Sequence, residues 1–363
     1  AKSHATITTA WSSFPMSADE LNAFVERHFR IIEPHHWERL DNLLWDGNFT
    51  SARRMFPLGS EGQRKLAEAR MALRNRDKGV DGKIEAVPSS LRNDAGLSYE
   101  RFLWRVRKKR PESALELLTS RSASAKALGK PEKWANRRRS MARQLMRDGR
   151  NKEAYWLAAN HHLEGGRHFS DLEWLSGFIA LRKLNDPDKA LGHFRRFRNA
   201  VESPISLGRA GYWEGRALEA LGREDDAQAA YAFGAEYQTS FYGLLAAERG
   251  GIPTDPALQG REEYPDWRNA SFLESTVLQA ALELHSAGQK TLSERFMVHL
   301  CESLTPTEMG QLADFAFELG EPLVALMIAM FAARRGHTLQ RAYHQITDVV
   351  RQTLPVEDAL TLG

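Results

Sequence analysis

Residues 218–227 read LEALGREDDA, in which a leucine is followed after three residues by a glycine and after four more by an alanine. The same spacing occurs in LLWDGNFTSA at residues 43–52 and in LMRDGRNKEA at residues 145–154. A leucine near a helix end, a glycine that tolerates a left-handed cap and a small residue that admits a second helix are typical of a helical hairpin. The three stretches therefore predict pairs of antiparallel α-helices.

Three looser copies keep this spacing with one residue changed. They are Leu181/Asn185/Ala190, Leu284/Gly288/Ser293 and Ala316/Gly320/Ala325, and asparagine is the other residue that tolerates the left-handed conformation. The middle copies start at residues 145, 181 and 218, which are 36 and 37 residues apart. Repeats of this length form arrays in which each hairpin buries the face of its neighbour. We therefore predict an all-α fold, an α-solenoid of stacked hairpins.

Helix start signals agree with this prediction, and alternating strand patterns are almost absent. Ser17 with Glu20 and Thr305 with Glu308 are two predicted capping boxes, in which each side chain satisfies a free amide at a helix start. A cap residue also precedes a proline, whose missing N–H costs nothing at the first helical position, at Asp186-Pro187, Ser203-Pro204 and Thr305-Pro306.

Two segments interrupt the helical pattern. Residues 78–97 are polar and rich in turn residues, so we expect a long loop between hairpins. Residues 250–265 contain six glycines and prolines and cannot form one helix. Because the charge turns acidic after this second segment, we place the domain boundary there.

The composition excludes several protein classes. Of the 363 residues, 42% are apolar and 27% are charged, which is typical of a soluble globular protein. The most apolar run, residues 322–333, is shorter than the roughly 18 residues that a membrane span needs, so an integral membrane protein is excluded. Cys301 is the single cysteine, which excludes an internal disulfide and a multi-cysteine zinc site. It lies in an apolar helical segment, and we expect it in the core.

Motifs that would indicate catalysis are missing from the sequence. GxGxxG, Walker A, HExxH, GxSxG and CxxC patterns do not occur, so nucleotide-binding, zinc-protease and serine-hydrolase interpretations have no support. The histidine doublets at residues 35–36 and 161–162 do not favour a metal site, because adjacent residues on a helix point about 100° apart. The motifs therefore predict no metal, no cofactor and no catalytic residue.

A net charge of +3 conceals a strongly basic segment. Residues 101–150, the basic tract, hold 16 Lys and Arg against 4 Asp and Glu, whereas residues 251–363 hold 8 against 15. Such a tract is either a solvated helix face or a surface that meets a polyanion. The candidate binding residues within it are Lys108, Lys109, Arg137, Arg138 and Arg139.

Neighbouring stretches around the middle repeats carry a more specific resemblance. Residues 204–222 contain PIS, RAGYWEGRA and ALG, residues 173–182 contain EWLSG and ALR, and residues 240–246 read SFYGLLA. Together they resemble the signature segment of the soluble lytic murein transglycosylases and the hairpins on either side of it. The match covers about residues 170–250, and residues before 140 match only in character.

The resemblance implies an exported, periplasmic protein in which a helical superhelix curls into a ring. A small helical linker domain and a lysozyme-like catalytic domain follow the ring in this family. Residues 1–252 resemble the ring domain, residues 268–354 the linker domain and residues 355–363 the start of the catalytic domain. Since the sequence begins at Ala1 without a methionine, either a signal peptide has been removed or the chain has been shortened at its start. The periplasmic location that the resemblance implies favours a removed signal peptide.

The activity implied by the resemblance is a lyase reaction on peptidoglycan, or murein. The bond between N-acetylmuramic acid and N-acetylglucosamine is cleaved without water, which leaves a 1,6-anhydromuramyl end. In the family one glutamate acts as acid and then as base, in an Arg-x-Glu-Ser segment that precedes Gly-Leu-Met-Gln. Neither segment occurs in this sequence, which ends shortly after residues 354–360, the stretch that resembles the entry to the catalytic domain. We therefore assign no catalytic residue and expect this chain to be inactive alone.

The resemblance also implies partners and marks residues. Peptidoglycan glycan strands are the expected partner, which makes the five basic residues named above candidates for glycan binding, and other cell-wall enzymes are further expected partners. No cofactor, metal ion or nucleic acid is expected. The family signature residues, which we expect to be structural, are Arg209, Tyr212, Trp213, Gly215, Arg216 and Tyr242.

A second interpretation is a helical-repeat scaffold without enzymatic activity. Such arrays often grip a protein partner, and the basic tract offers a surface for a polyanion. A nucleic-acid partner is disfavoured, because the sequence has no recognised nucleic-acid-binding module and its overall charge is small.

Overall fold

The computed structural model of the chain describes residues 2–344, and within them all regular structure is helical. The predicted all-α class is confirmed. By its internal contacts the chain divides into two compact units, Ala1–Leu184 and Asn185–Gly363. The domain boundary predicted at residues 250–265 lies inside the second unit and stays a prediction, as does the ring.

The first unit consists of helices that pack mainly on their nearest neighbours in sequence, as α10, α11 and α12 do on one another. Its helices are α1 (Lys2–Ser13), α2 (Ala18–Ile32), α3 (His36–Asp46), α4 (Phe49–Arg54), α5 (Glu61–Asn75), α6 (Val80–Glu85), α7 (Ala95–Arg107), α8 (Pro111–Arg121), α9 (Ala125–Leu128), α10 (Pro131–Arg147), α11 (Asn151–Ala159) and α12 (Gly166–Lys183).

The second unit repeats this arrangement, because α14 packs on α13, α15 and α16, and α20 packs on α18, α19 and α21. Its helices are α13 (Pro187–Asn199), α14 (Pro204–Ala220), α15 (Glu224–Ala235), α16 (Phe241–Arg249), α17 (Thr276–Ser286), α18 (Lys290–Leu300), α19 (Pro306–Glu318), α20 (Pro322–Arg334) and α21 (Gln340–Tyr343). Contacts between consecutive helices are what an α-solenoid of hairpins requires.

The predicted hairpin turns are confirmed at the cap positions. All six have a positive φ: Gly47 (76°), Gly149 (77°), Asn185 (53°), Gly222 (70°), Gly288 (74°) and Gly320 (75°). The small residue five positions later is buried in each case, and at Ala52 and Ala154 its exposure is 0%. A left-handed residue stops the first helix and reverses the chain, and a small side chain then allows the second helix to pack closely.

Helix starts also follow the sequence. Capping boxes are present at Ser17 with Glu20 and at Thr305 with Glu308. A third capping box, Ser60 with Gln63, was not predicted from the sequence.

The expectation of a long loop at residues 78–97 is wrong. The segment contains α6 and the start of α7. Gly79 caps the start of α6 with a φ of 73°, and the next residue, Val80, is buried with 8% of its surface exposed. Packing of α6 on α5 outweighs the cost of Gly82 inside a short helix, which is about 1 kcal/mol relative to alanine. By contrast, the break at residues 250–265 is confirmed, since α16 ends at Arg249 and only a short 3-10 turn, Pro256–Gln259, follows there.

Cys301 lies in the core of the second unit, as predicted. Its exposure is 0%, and it packs in a cluster with Met297, Leu312 and Ile328. Burial raises the pKa of its thiol to about 12, so the side chain behaves as a small apolar group. Residues 354–360 and 355–363, which the resemblance assigns to the entry of a catalytic domain, lie outside the described residues.

Candidate functional site

The family signature segment lies on α14, whose glycines form one face. Gly208, Gly211 and Gly215 recur at spacings of three and four residues, which places them on the same side of a helix. A Cβ atom added to Gly211 would lie 2.5 Å from Gly234 Cα in α15, and one added to Gly215 would lie 2.5 Å from a ring carbon of Tyr231. The missing side chains therefore let α15 touch α14 directly.

Aromatic rings of the signature pack together beside this contact. The Tyr212 ring lies 5.3 Å from that of Trp213, 5.6 Å from that of Tyr242 and 6.3 Å from that of Tyr231, measured between centroids. Trp213 is 7% exposed and stacks on Phe194 at 5.9 Å. These distances are those of favourable aromatic pairs, which stabilise a core beyond the area they bury.

Both signature arginines lie over these rings. Arg216 donates a hydrogen bond of 3.0 Å to Tyr212 Oη, and its guanidinium carbon lies 5.8 Å from the Tyr212 ring centroid. The guanidinium carbon of Arg209 lies 5.2 Å from the Tyr242 ring centroid. The structure thus brings all six signature residues into one region of the second unit, formed by α14 and α16.

Glu219 connects this region to the end of α16. Tyr231 Oη donates to Glu219 Oε2 at 2.7 Å, and Arg249 donates to Glu219 Oε1 at 2.6 Å. The hydrogen bond from Arg249 lowers the pKa of the Glu219 carboxyl, whereas burial raises the pKa of Tyr231. Glu219 is therefore ionised and Tyr231 protonated at neutral pH, and neither group is suited to proton transfer.

The basic tract is distributed over α7 to α10 and the turns that follow these helices, and its candidate residues differ in accessibility. Lys108 and Lys109 follow the last turn of α7 and are exposed. Lys108 Nζ lies 5.6 Å from the ring centroid of Trp104. Arg137 on α10 is also exposed. These three residues are accessible to a ligand.

Arg138 is not accessible, and the prediction that it contacts a ligand is wrong. Its exposure is 1%, and its guanidinium donates to Leu157 O at 2.8 Å and to Ser122 Oγ at 2.6 Å. Burial lowers its pKa to about 10. The neighbouring Arg139 is half-buried and pairs with Asp171 on α12. Successive residues on a helix point about 100° apart, so three consecutive arginines cannot share one face.

Two carboxylates, the partly buried Asp94 and the buried Glu100, were not predicted from the sequence. Burial raises the pKa of Asp94 and of Glu100. Asp94 accepts from Leu97 N at 2.6 Å as the cap of α7, and Glu100 accepts from Arg74 Nε at 2.7 Å. Asp94 precedes the helix as a cap residue should, but nothing near Glu100 in sequence signals its distant partner. Both carboxylates are fixed in structural ion pairs, since Arg70 Nη1 also lies 3.5 Å from Asp94 Oδ1.

Residues 2–344 contain no group of three or more His, Cys, Asp and Glu side chains that could hold a metal ion. None of the helices described in these residues is both long enough and apolar enough to span a bilayer.

Comparison with known proteins adds no assignment. No protein-family model matches the chain, and a search of curated proteins returned no match.

Proposed function

We propose that this chain is the non-catalytic helical scaffold of a periplasmic, peptidoglycan-processing lytic transglycosylase. The whole enzyme cleaves the bond between N-acetylmuramic acid and N-acetylglucosamine and leaves a 1,6-anhydromuramyl end. The observation that carries the proposal is the convergence of the signature residues. Arg209, Tyr212 and Arg216 lie on α14, and Tyr242 of α16 joins them because Gly208 lets α16 approach α14 closely.

The role of these residues in the proposal is structural. A general acid must reach the glycosidic oxygen and hold a proton near neutral pH. Within residues 2–344 a raised carboxyl pKa occurs at Asp94 and Glu100, and both are engaged with arginines inside the first unit. We therefore assign the described residues to holding the substrate and not to cleaving it.

Glycan holding is assigned to the accessible cations of the basic tract. Peptidoglycan carries carboxylates on its stem peptides, and exposed lysine and arginine side chains attract such a polymer through interactions that salt weakens. Lys108, Lys109 and Arg137 are exposed and suit this role. Arg138 is excluded by its burial, and Arg139 is already paired.

Sedimentation with purified sacculi across a salt series tests the proposal. The test variant replaces Lys108, Lys109 and Arg137 by glutamate. The control variant makes the same change of charge at exposed arginines outside the tract, Arg27→Glu, Arg295→Glu and Arg334→Glu. We expect the wild type and the control to sediment with sacculi at low salt and the test variant to remain largely in solution.

Two results would overturn the proposal. One is a wild-type protein that does not sediment with sacculi. The other is tight binding of duplex DNA near physiological ionic strength with a steep salt dependence, which is characteristic of a protein that neutralises many phosphates and would favour the alternative of a polyanion-binding scaffold.

A further inference from the structure

A cavity of about 370 Å³ opens in the first unit between α5, α6 and α7. This volume is within the range of small-ligand sites. Apolar side chains of α5 and α6 line part of it, and six further lining residues are an aromatic ring and five charged groups: Trp104, Arg101, Arg105, Arg110, Asp81 and Glu85. Neither the signature residues nor the accessible cations assigned above take part in it.

The three arginines of the cavity have no carboxylate partner. Within residues 2–344 no acidic oxygen lies within 4.0 Å of Arg101, Arg105 or Arg110. Arg105 is held by a hydrogen bond of 2.8 Å from Nη1 to Ser113 O. Burial and the nearby charges of Arg101 and Arg110 lower its pKa, although Glu116 opposes them. Unpaired like charges around a cavity favour binding of an anion.

The two acidic residues of the cavity are also without a cation. Asp81 and Glu85 lie one helical turn apart on α6, whereas the arginines come from α7 and the residue before α8. Neither carboxylate forms an ion pair within the described chain. The cavity therefore carries solvent-accessible groups of both signs that form no ion pairs within the described chain, and a ligand that pairs with both must itself carry both charges.

Trp104 supplies apolar surface between these groups. Its side chain is partly buried and packs on the core of α5. The guanidinium carbon of Arg110 lies 5.3 Å from its ring centroid, which holds that cation at the cavity. An aliphatic chain between the charged ends of a ligand can pack against this ring.

We propose that the cavity is a subsite for a short peptide that carries free carboxylates and a free amino group. The carboxylates pair with Arg101 and Arg110, and the ammonium group pairs with Asp81 and Glu85. Uncrosslinked stem peptides of peptidoglycan belong to this class, so the identification of the peptide rests on the function proposed above. In this assignment the accessible cations Lys108, Lys109 and Arg137 attract the polymer, and the cavity selects its peptide side chains.

Isothermal titration calorimetry on the 363-residue chain tests the subsite. The probes are the tripeptide L-Ala-γ-D-Glu-meso-diaminopimelic acid and the same tripeptide with its amino groups acetylated. We expect the wild type to bind the free peptide and to bind the acetylated peptide at least about tenfold more weakly, the effect of one lost charge-assisted hydrogen bond.

Variants then separate the two ends of the ligand. Arg101→Gln should weaken binding of both peptides about tenfold, whereas Arg27→Gln, at an exposed arginine outside both the cavity and the basic tract, should change neither. The double variant Asp81→Asn, Glu85→Gln should remove the difference between the free and the acetylated peptide. Arg101→Gln removes no ion pair among the described residues, and an unchanged circular dichroism spectrum verifies that each variant is folded.

The subsite is rejected if the wild type does not bind the peptide, or if Arg101→Gln binds it as the wild type does. The two proposals fail separately. Sedimentation with sacculi without peptide binding rejects the subsite alone, and loss of both activities rejects the proposed function as well.

Discussion

Gly211 of α14 faces Gly234 of α15 so closely that a Cβ atom on Gly211 would lie 2.5 Å from Gly234 Cα. Real Cβ atoms do not approach a backbone atom to this distance, so the two helices meet through their main chains. This contact sets the spacing of α14 and α15 and thereby the packing of Tyr212 against Tyr231.

Gly211→Ala should destabilise the protein, because its methyl group must push α15 away. Overpacking of this kind costs about 1–3 kcal/mol, and the better helix propensity of alanine offsets up to about 1 kcal/mol. Gly192→Ala in α13 is the matched control, since its Cβ would meet only Arg196 Nη1 at 3.6 Å. The free energy of unfolding in urea measures both, and equal stability of the two variants would contradict the assigned contact.

Gly222→Val tests the left-handed cap of the hairpin between α14 and α15. Gly222 has a φ of 70°, and a Cβ there would meet nothing within 4 Å, so the cost arises from the backbone alone. We expect a loss of roughly 1–2 kcal/mol. Gly222→Asn should retain most of the stability, because asparagine tolerates this conformation. Equal urea midpoints for the valine and asparagine variants would show that the cap is not left-handed.

Arg138→Met and Arg137→Met compare adjacent residues of α10. Arg138→Met removes the donors to Leu157 O and Ser122 Oγ and leaves buried acceptors without partners, so we expect a loss of roughly 2–3 kcal/mol. Arg137 is exposed, and its replacement should change stability by about 0.5 kcal/mol or less. Thermal unfolding monitored by circular dichroism distinguishes them. A reversed order of stability would overturn the assignment of Arg138 as a core residue.

Cys301 provides a pH-dependent test of the second unit. Its thiol pKa is raised to about 12 by burial, so in the folded protein it should not react with a thiol reagent at pH 8. The folded state binds this proton more tightly than the unfolded state does. The protonated thiol therefore contributes its full stabilisation below the pKa that the thiol has in the unfolded chain, and this contribution is lost as the pH rises from there towards 12.

Cys301→Ala should lose less stability than the wild type between pH 9 and pH 11, since the alanine side chain does not titrate. Urea unfolding at a series of pH values measures the difference. Rapid reaction of the folded wild type with the reagent at pH 8 would contradict the burial of Cys301.

Local conformational preference explains which elements were predicted correctly. Gly222 and Asn185 mark helix ends because few residue types tolerate a positive φ, and Thr305 with Glu308 marks a helix start through bonds made within one turn. Such features depend on a few adjacent residues. The helix α6 was missed because its stability comes from packing on α5, and its own glycine content argues against a helix.

The candidate binding residues were predicted less well for a related reason. Composition identifies the basic tract, but it does not give the rotation of α10 about its axis, and that rotation buries Arg138 while it exposes Arg137. The cavity beside Trp104 has no signal in sequence, because Asp81 and Arg101 come from different helices.

The sequence by itself determined the helical class of this protein, the positions of its hairpin turns and the burial of Cys301, because turn conformation and apolar patterning are local properties. Tertiary structure alone decided which charges are neutralised. Glu100 pairs with Arg74, and Arg138 donates to Leu157 O, whereas Arg101 and Asp81 form no ion pair with any residue that the structure describes. Pairing requires side chains to come within a few ångströms across different helices, and only the packed fold fixes those distances.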